Sequence, residues 1–324
     1  MYARCLKIFF DRKMFLRSPP PMLQPFIAFD PIYAHPLPEG HRFPMLKYEL
    51  IPAQLLHEGT ITEEAIFSPE PIPEEMILQT HDRDYWTRMK ALELSSREMR
   101  AIGFPLSGPL VEREIRILQG TLDCARISET TGVALNVAGG THHAFADKGE
   151  GFCLLNDFAV AANELTRLNP TERILICDLD VHQGNGTAAL LSGNSRVFTF
   201  SMHGAHNYPF RKEKSSLDIG LPDGISGNEY LEILREHLPK IINTFRPTRL
   251  FYLSGVDVLA TDKFGKMALT REECAERDRY VFESAKRHSL PVAVAMGGGY
   301  SPEIKDIVEA HCNTFRIAAD VFGL

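Results

Sequence analysis

Residues 173–187 read RILICDLDVHQGNGT. The run at 173–177, apolar after Arg173, is short and bounded. It reads as a strand buried on both faces of a parallel sheet. Asp178, Asp180 and His182 then alternate at its carboxyl end, and a period of two puts all three on one side. Similar apolar runs occur at 26–29, 132–137, 197–201, 250–254 and 291–296. Helical patterns fall between them at 110–126, 157–168, 229–244 and 271–288. Strands alternating with helices predict βαβ units and a doubly wound α/β fold. No repeat, low-complexity tract or linker interrupts the chain after residue 25, so one domain over 25–324 is expected.

Open α/β sheets bind ligands outside the carboxyl ends of their strands. Here those ends read AGGTHHAF (138–145), DLDVHQGNG (178–186), SMHGAHNYPF (201–210), SGVDVLATD (254–262) and MGGGY (296–300). Asp180 and His182 can reach one divalent metal, and Asp257, at the end of another apolar run, can supply a third ligand. Three protein ligands leave positions open for water and substrate, as a catalytic zinc site requires. Alone, the alternating Asp-Asp-His reads equally well as strand-end caps; Asp257 tips the balance. His142 and His143 suit paired proton transfer, one acting while the other is held by a carboxylate. Tyr300 closes a run of three glycines, where a phenol can donate to a developing oxyanion. Phe152 can line an apolar channel, although a buried aromatic is the default for such a residue.

The chain has 324 residues, 35 basic and 42 acidic, for a net charge of −7, and 44% hydrophobic content. That composition suits a globular protein with a sizeable core. It argues against direct nucleic-acid binding, which needs a basic face, but not against a basic peptide substrate. The six cysteines form no C-x-x-C pair. They read as buried thiols of a reducing cytoplasm, which is the expected location. No stretch reaches the roughly 18 apolar residues of a membrane span. Residues 1–24 are basic and end near three prolines. They are expected to be an extension outside the domain, disordered or not native, with Met14 or Met22 as alternative starts.

Taken in order, GGTHHAF, GFCLLND, DLDVHQGNGT, FSMHG, SGVD and GGGY resemble the zinc-dependent histone deacetylase family over nearly all the chain after residue 25. The run NYPFRKEKSSLDIGLPDG (207–224) is most similar to its bacterial class IV-type members. The resemblance implies the arginase-deacetylase fold, a single domain whose parallel sheet is sandwiched between helix layers. It implies hydrolysis of N6-acyl-lysine amides in a protein or peptide substrate. By position it makes Asp180, His182 and Asp257 the ligands of zinc, with iron(II) as an alternative. Asp178 pairs with His142 and, with Asp180, His182, Ser201 and Met202, forms a structural potassium site. His143, oriented by Asn185, acts as general base and then general acid, and Tyr300 stabilises the oxyanion. Gly151, Phe152, Phe264, Gly298 and Gly299 form the substrate tunnel, and Arg42 belongs to an internal pocket below the metal.

Two departures from the family pattern stand out. Asn185 replaces the aspartate that some members carry, and a neutral amide stabilises protonated His143 less. The segment before Gly103-Phe104-Pro105 has no acid matching the one that grips the substrate backbone in several members. Among rival readings, an arginase-like two-metal site needs a carboxylate where Gly184 stands. A non-catalytic scaffold should have lost a ligand, a histidine or the tyrosine, and all are present. An acetylpolyamine amidohydrolase should place a carboxylate at the tunnel gate, where this chain has Lys263 and Phe264.

Overall fold

In the computed structural model, which describes residues 25–324, each of the six apolar runs coincides with a strand to within a few residues. The strands are β1 (Ile27–Ala28), β2 (Ile66–Phe67), β3 (Val133–Asn136), β4 (Ile174–Asp178), β5 (Val197–Gly204), β6 (Leu217–Leu221), β7 (Arg249–Leu253) and β8 (Val292–Ala295). They form one all-parallel sheet in the order β2-β1-β3-β8-β7-β4-β5-β6. The four central strands β3, β8, β7 and β4 are wholly buried, which is why they read as unbroken apolar runs. The two strands without a sequence signal, β2 and β6, are the two edges of the sheet. β2 has only two residues, and β6, at LDIGL, is half-covered and interrupted by Asp218. The extension expected at residues 1–24 lies outside the described residues.

The helices are α1 (Lys47–His57), α2 (Glu74–Ile77), α3 (Arg83–Lys90), α4 (Ser96–Ile102), α5 (Gly108–Thr131), α6 (Asp157–Leu168), α7 (Asn185–Leu191), α8 (Gly227–Phe245), α9 (Arg271–Arg287) and α10 (Ile304–Phe322). All four helical patterns read from sequence fall within this set, as α5, α6, α8 and α9. α1, α10, α9 and α8 pack in succession on one another, and α5, α6 and α7 form a second group. The sheet lies between helix layers, as expected. Capping boxes open α8 and α9: the Thr270 hydroxyl accepts from Glu273 N (3.1 Å), and the Glu273 carboxylate accepts from Thr270 N (2.8 Å).

One buried group ties a helix to the site. Arg277 on α9 is fully buried and donates to Leu179 O (3.2 Å) and Gly255 O (2.7 Å), in the loops after β4 and β7. Its partner Asp278 also accepts from Tyr252 (2.5 Å) and Thr314 (2.6 Å), so α9, α10 and β7 share one polar network inside the core. The five cysteines among the described residues are buried and unpaired, consistent with the thiol reading. No helix among the described residues is long and apolar enough to cross a membrane.

Candidate active site

The strand order sets the carboxyl ends of β3, β8, β7, β4 and β5 side by side, so the five polar segments meet at one place. The loop after β3 is fixed by Asp157 at the start of α6. Its carboxylate accepts from Gly140 N (3.1 Å), Thr141 N (2.9 Å), the Thr141 hydroxyl (2.9 Å) and the Thr121 hydroxyl (2.8 Å). This buried cage presents His142 and His143 to the cavity.

Asp180, His182 and Asp257 converge with ligand atoms all within 4.8 Å of one another, and all three are buried. His182 Nδ1 lies 3.0 Å from Asp180 Oδ1 and 3.1 Å from Asp257 Oδ2. Atoms about 2.0–2.1 Å from a tetrahedral zinc lie roughly 3.3–3.4 Å apart, so the spacing is nearly that of a filled site. Burial and the Asp180 charge push the Asp257 carboxyl up to about 7. Two buried carboxylates that resist joint ionisation are stabilised by a cation between them. The glycine run leaves room for it: a Cβ on Gly298 would stand 2.0 Å from Asp257 Oδ2 and 2.8 Å from Asp180 Oδ2. Gly298 N donates to Asp180 Oδ2 at 2.8 Å. The donor set therefore fits a divalent metal. Gly184 cannot supply the further carboxylate of a two-metal site, because a Cβ there would lie 2.4 Å from Asp178 Oδ2.

The two histidines are held differently. His142 Nδ1 is 2.8 Å from Asp178 Oδ2. Burial opposes its charge, but Asp178 and Asp180 outweigh burial and push it up to about 9. His143 is driven well below the ordinary value by burial and by its neighbours His142 and His182. Its Nδ1 lies 2.7 Å from Asn185 Oδ1. Sequence reading missed the next link. Asn185 Nδ2 donates to Glu150 Oε1 at 2.7 Å. That bond points the amide oxygen at His143, so Nδ1–H donates and Nε2 keeps its lone pair. Tyr208 stands edge-on to the His143 ring at 4.9 Å. Asn185 sits inside a quoted motif and Glu150 just before one, and nothing in the linear order pairs the two.

The cavity, about 460 Å³, is lined by Gly151, Phe152, Phe264, Gly298 and Tyr300, together with both histidines and the Asp-His-Asp group. Gly151 and Phe152 both have positive φ, at 58° and 67°. Their N–H groups are pinned to Ala101 O (3.0 Å) and Ile102 O (2.6 Å) at the end of α4. Gly151 must lack a side chain, since a Cβ would meet His143 Cδ2 at 2.7 Å. A phenylalanine at positive φ is strained and is held there by its surroundings. Tyr300 packs within 5.1 Å of Phe264 and 5.9 Å of Phe152, ring centre to ring centre. Burial beside Asp257 and Asp180 holds its phenol well above the ordinary value, so it is a hydrogen-bond donor. Ser201 stands in register with Asp178 across β4 and β5; its hydroxyl bonds His203 Nδ1 (2.9 Å), and Met202 is buried beside it.

Two expectations need correction. Gly299 does not line the tunnel: a Cβ there would meet Val256 (2.6 Å) and Ile307 (3.2 Å), on the side packed against α10. Arg42 is not below the Asp-His-Asp group. It is exposed at the mouth, its guanidinium 4.9 Å from the Phe152 ring centre and 5.7 Å from that of Phe264. Lys47 and Arg113 are buried instead: the Lys47 ammonium donates to Gly297 O at 3.0 Å, and Arg113 is paired with Glu114 and bound to Tyr33 O at 2.8 Å. Lys47 stands shortly after Arg42, at the first position of α1, and burial holds it down to about 8 against the pull of Asp257 and Asp180.

Comparison with known proteins agrees with this geometry. Residues 41–315 match the family model of the histone deacetylase domain. The chain is 41% identical over 297 residues to an uncharacterized protein of Picosynechococcus sp., covering 91% of this chain and 99% of that one. It is 28% identical over 270 residues to histone deacetylase 2 of Arabidopsis thaliana, covering 80% and 70%. In structure it is similar to an HDAC homologue complexed with SAHA, with a TM-score of 0.78, 22% identity, and coverage of 93% and 84%. The HDAC homologue from Aquifex aeolicus gives the same TM-score of 0.78 at 22% identity, with coverage of 92% and 84%.

Proposed function

The chain belongs to the histone deacetylase family, and from that premise we propose that it hydrolyses N6-acyl-lysine amides of a protein or peptide. We propose zinc, with iron(II) as the alternative, at Asp180, His182 and Asp257. The observation that carries the reading is the meeting of a buried Asp-His-Asp group with two histidines driven in opposite directions, at the floor of an aromatic-walled cavity. A structural potassium ion is proposed at Asp178, Asp180, His182, Ser201 and Met202. Support for it is the buried Asp178 carboxyl, which burial pushes up and a nearby cation would relieve. The catalytic domain is taken as residues 25–324, and the buried free thiols go with a cytoplasmic location.

A metal ion held by the three ligands would polarise the acyl carbonyl and acidify water. The protein's own residues supply the rest. His143, kept neutral by burial, takes the water proton at Nε2 while Nδ1–H is held by Asn185. The Tyr300 hydroxyl donates to the oxyanion that forms at the carbonyl. His143 then returns its proton to the departing lysine amine, while His142, fixed by Asp178, packs against it with ring centres 4.1 Å apart. Phe152 and Phe264 exclude water and align the alkyl chain.

The cavity lining contains no carboxylate apart from Asp180 and Asp257 among the described residues. A polyamine would bring a second ammonium group to a mouth that offers it no partner, so its desolvation goes uncompensated. The kcat/KM on an acetyl-lysine peptide should exceed that on acetylated putrescine or spermidine by at least about 10-fold, or about 1.4 kcal/mol. A preference for the polyamine would overturn the lysine assignment and leave amide hydrolysis standing.

A further inference from the structure

The mouth of the cavity carries charge of one sign. Arg42, Lys263 and Lys266 line it, while the lining carboxylates, Asp180 and Asp257, are buried at the floor. This basic rim sits on a protein whose net charge is −7. The neighbouring acids are already engaged. Asp262 accepts from Phe264 N (2.8 Å), Gly265 N (2.8 Å) and Tyr300 N (2.6 Å). Glu150 holds Asn185 (2.7 Å), with Lys148 at 3.7 Å. Asp223 pairs with His206 (3.3 Å) and Lys266 (3.5 Å), and Glu98 at the rim helix pairs with Arg88 (2.8 Å) and caps Ser95. Arg42 and Lys263, by contrast, have no ion-pair partner among the described residues.

Arg42 is also prearranged. Its guanidinium rests over the rings of Phe152 and Phe264, the two aromatic walls of the tunnel. A guanidinium without an ion-pair partner presents an N–H edge that matches a carboxylate in two parallel bonds. Low-dielectric aromatic walls focus the field of such charges along the entry path.

Resting on the deacylase reading above, we propose that this enzyme selects acyl-lysines that carry a carboxylate at the tunnel mouth, held by Arg42 and Lys263. Lysine-rich segments of the histone-tail kind are disfavoured. The carboxylate comes either from acidic residues flanking the acyl-lysine in a peptide or from the α-carboxylate of free N6-acyl-lysine.

The test is kcat/KM on end-capped acetyl-lysine peptides with acidic, neutral and basic flanks, and on free N6-acetyl-lysine against its α-carboxamide. The acidic peptide should exceed the basic one by about 10-fold or more at low salt. The ratio should shrink as ionic strength passes about 0.1 M, where the Debye length is roughly 10 Å. Arg42→Gln and Lys263→Gln should each lower the ratio, and the double variant should bring it near one. Both side chains are exposed, so neither change threatens the fold. A gain confined to the peptides identifies flanking acids as the source; a gain of free N6-acetyl-lysine over its amide, lost in Arg42→Gln, identifies the α-carboxylate. Equal turnover of all flanks by the wild type together with no gain of free N6-acetyl-lysine over its amide, or a preference that survives the double substitution, overturns this inference and leaves lysine deacylation intact. No turnover of any acyl-lysine overturns both.

Discussion

His142 and His143 are adjacent in the chain, yet their surroundings push them apart: two carboxylates raise the first, while burial and two other imidazoles lower the second. Such a division assigns the proton-moving role to the residue that is neutral at working pH. Because His143 must be neutral to act as base, activity falls as pH drops through its pKa. Asn185→Asp should raise that pKa and move the acidic limb of the kcat/KM profile to higher pH. The new carboxylate would also face Glu150, now 2.7 Å from the Asn185 amide nitrogen, so Asn185→Asp combined with Glu150→Gln should be the more stable of the two variants. An acidic limb that stays in place would show that Asn185 does not act on His143. Tyr300→Phe removes one hydroxyl, and kcat should fall by about 10²-fold or more with metal content unchanged. Activity within threefold of wild type would make the tyrosine structural.

Strands and loops carry these residues with little tolerance. The loop after β8 passes so close to the ligands that Gly298→Ala must displace Asp257 or Asp180. Metal content should be lost while the circular dichroism of the fold survives; full occupancy would refute the packing argument. The support beneath is Arg277, which reaches from α9 to the loops after β4 and β7. Arg277→Leu leaves Asp278 as an uncompensated buried charge, and unfolding should cost about 3–5 kcal/mol less than in wild type by denaturant titration. At this scale the sequence was legible wherever burial was complete. β3, β4, β7 and β8 are covered on both faces and announce themselves as uninterrupted apolar runs. β2 and β6 are edges, where half-coverage admits polar residues and the signal fades.

Across the whole molecule, one parallel sheet brings five separate strand ends to a single cavity, and that convergence is why motif order alone could locate the site. What order could not reveal were contacts between residues whose spacing has no rule. Glu150 reaches Asn185 across 35 positions, and Lys47 reaches Gly297 across 250. Arg42 was misplaced for a related reason: it lies just before α1, and the turn into that helix sends Lys47, not Arg42, into the interior. The central claim is that a metal at Asp180, His182 and Asp257 serves amide hydrolysis in this cavity. The most direct measurement is amine release from an acetyl-lysine peptide by chelator-stripped protein titrated with zinc, for wild type and for Asp257→Ala. Activity should return in the wild type as zinc approaches one equivalent per chain, and the variant should neither bind the ion nor turn over. Full turnover by Asp257→Ala, or a wild type that binds one equivalent and hydrolyses no acyl amine, would contradict the account.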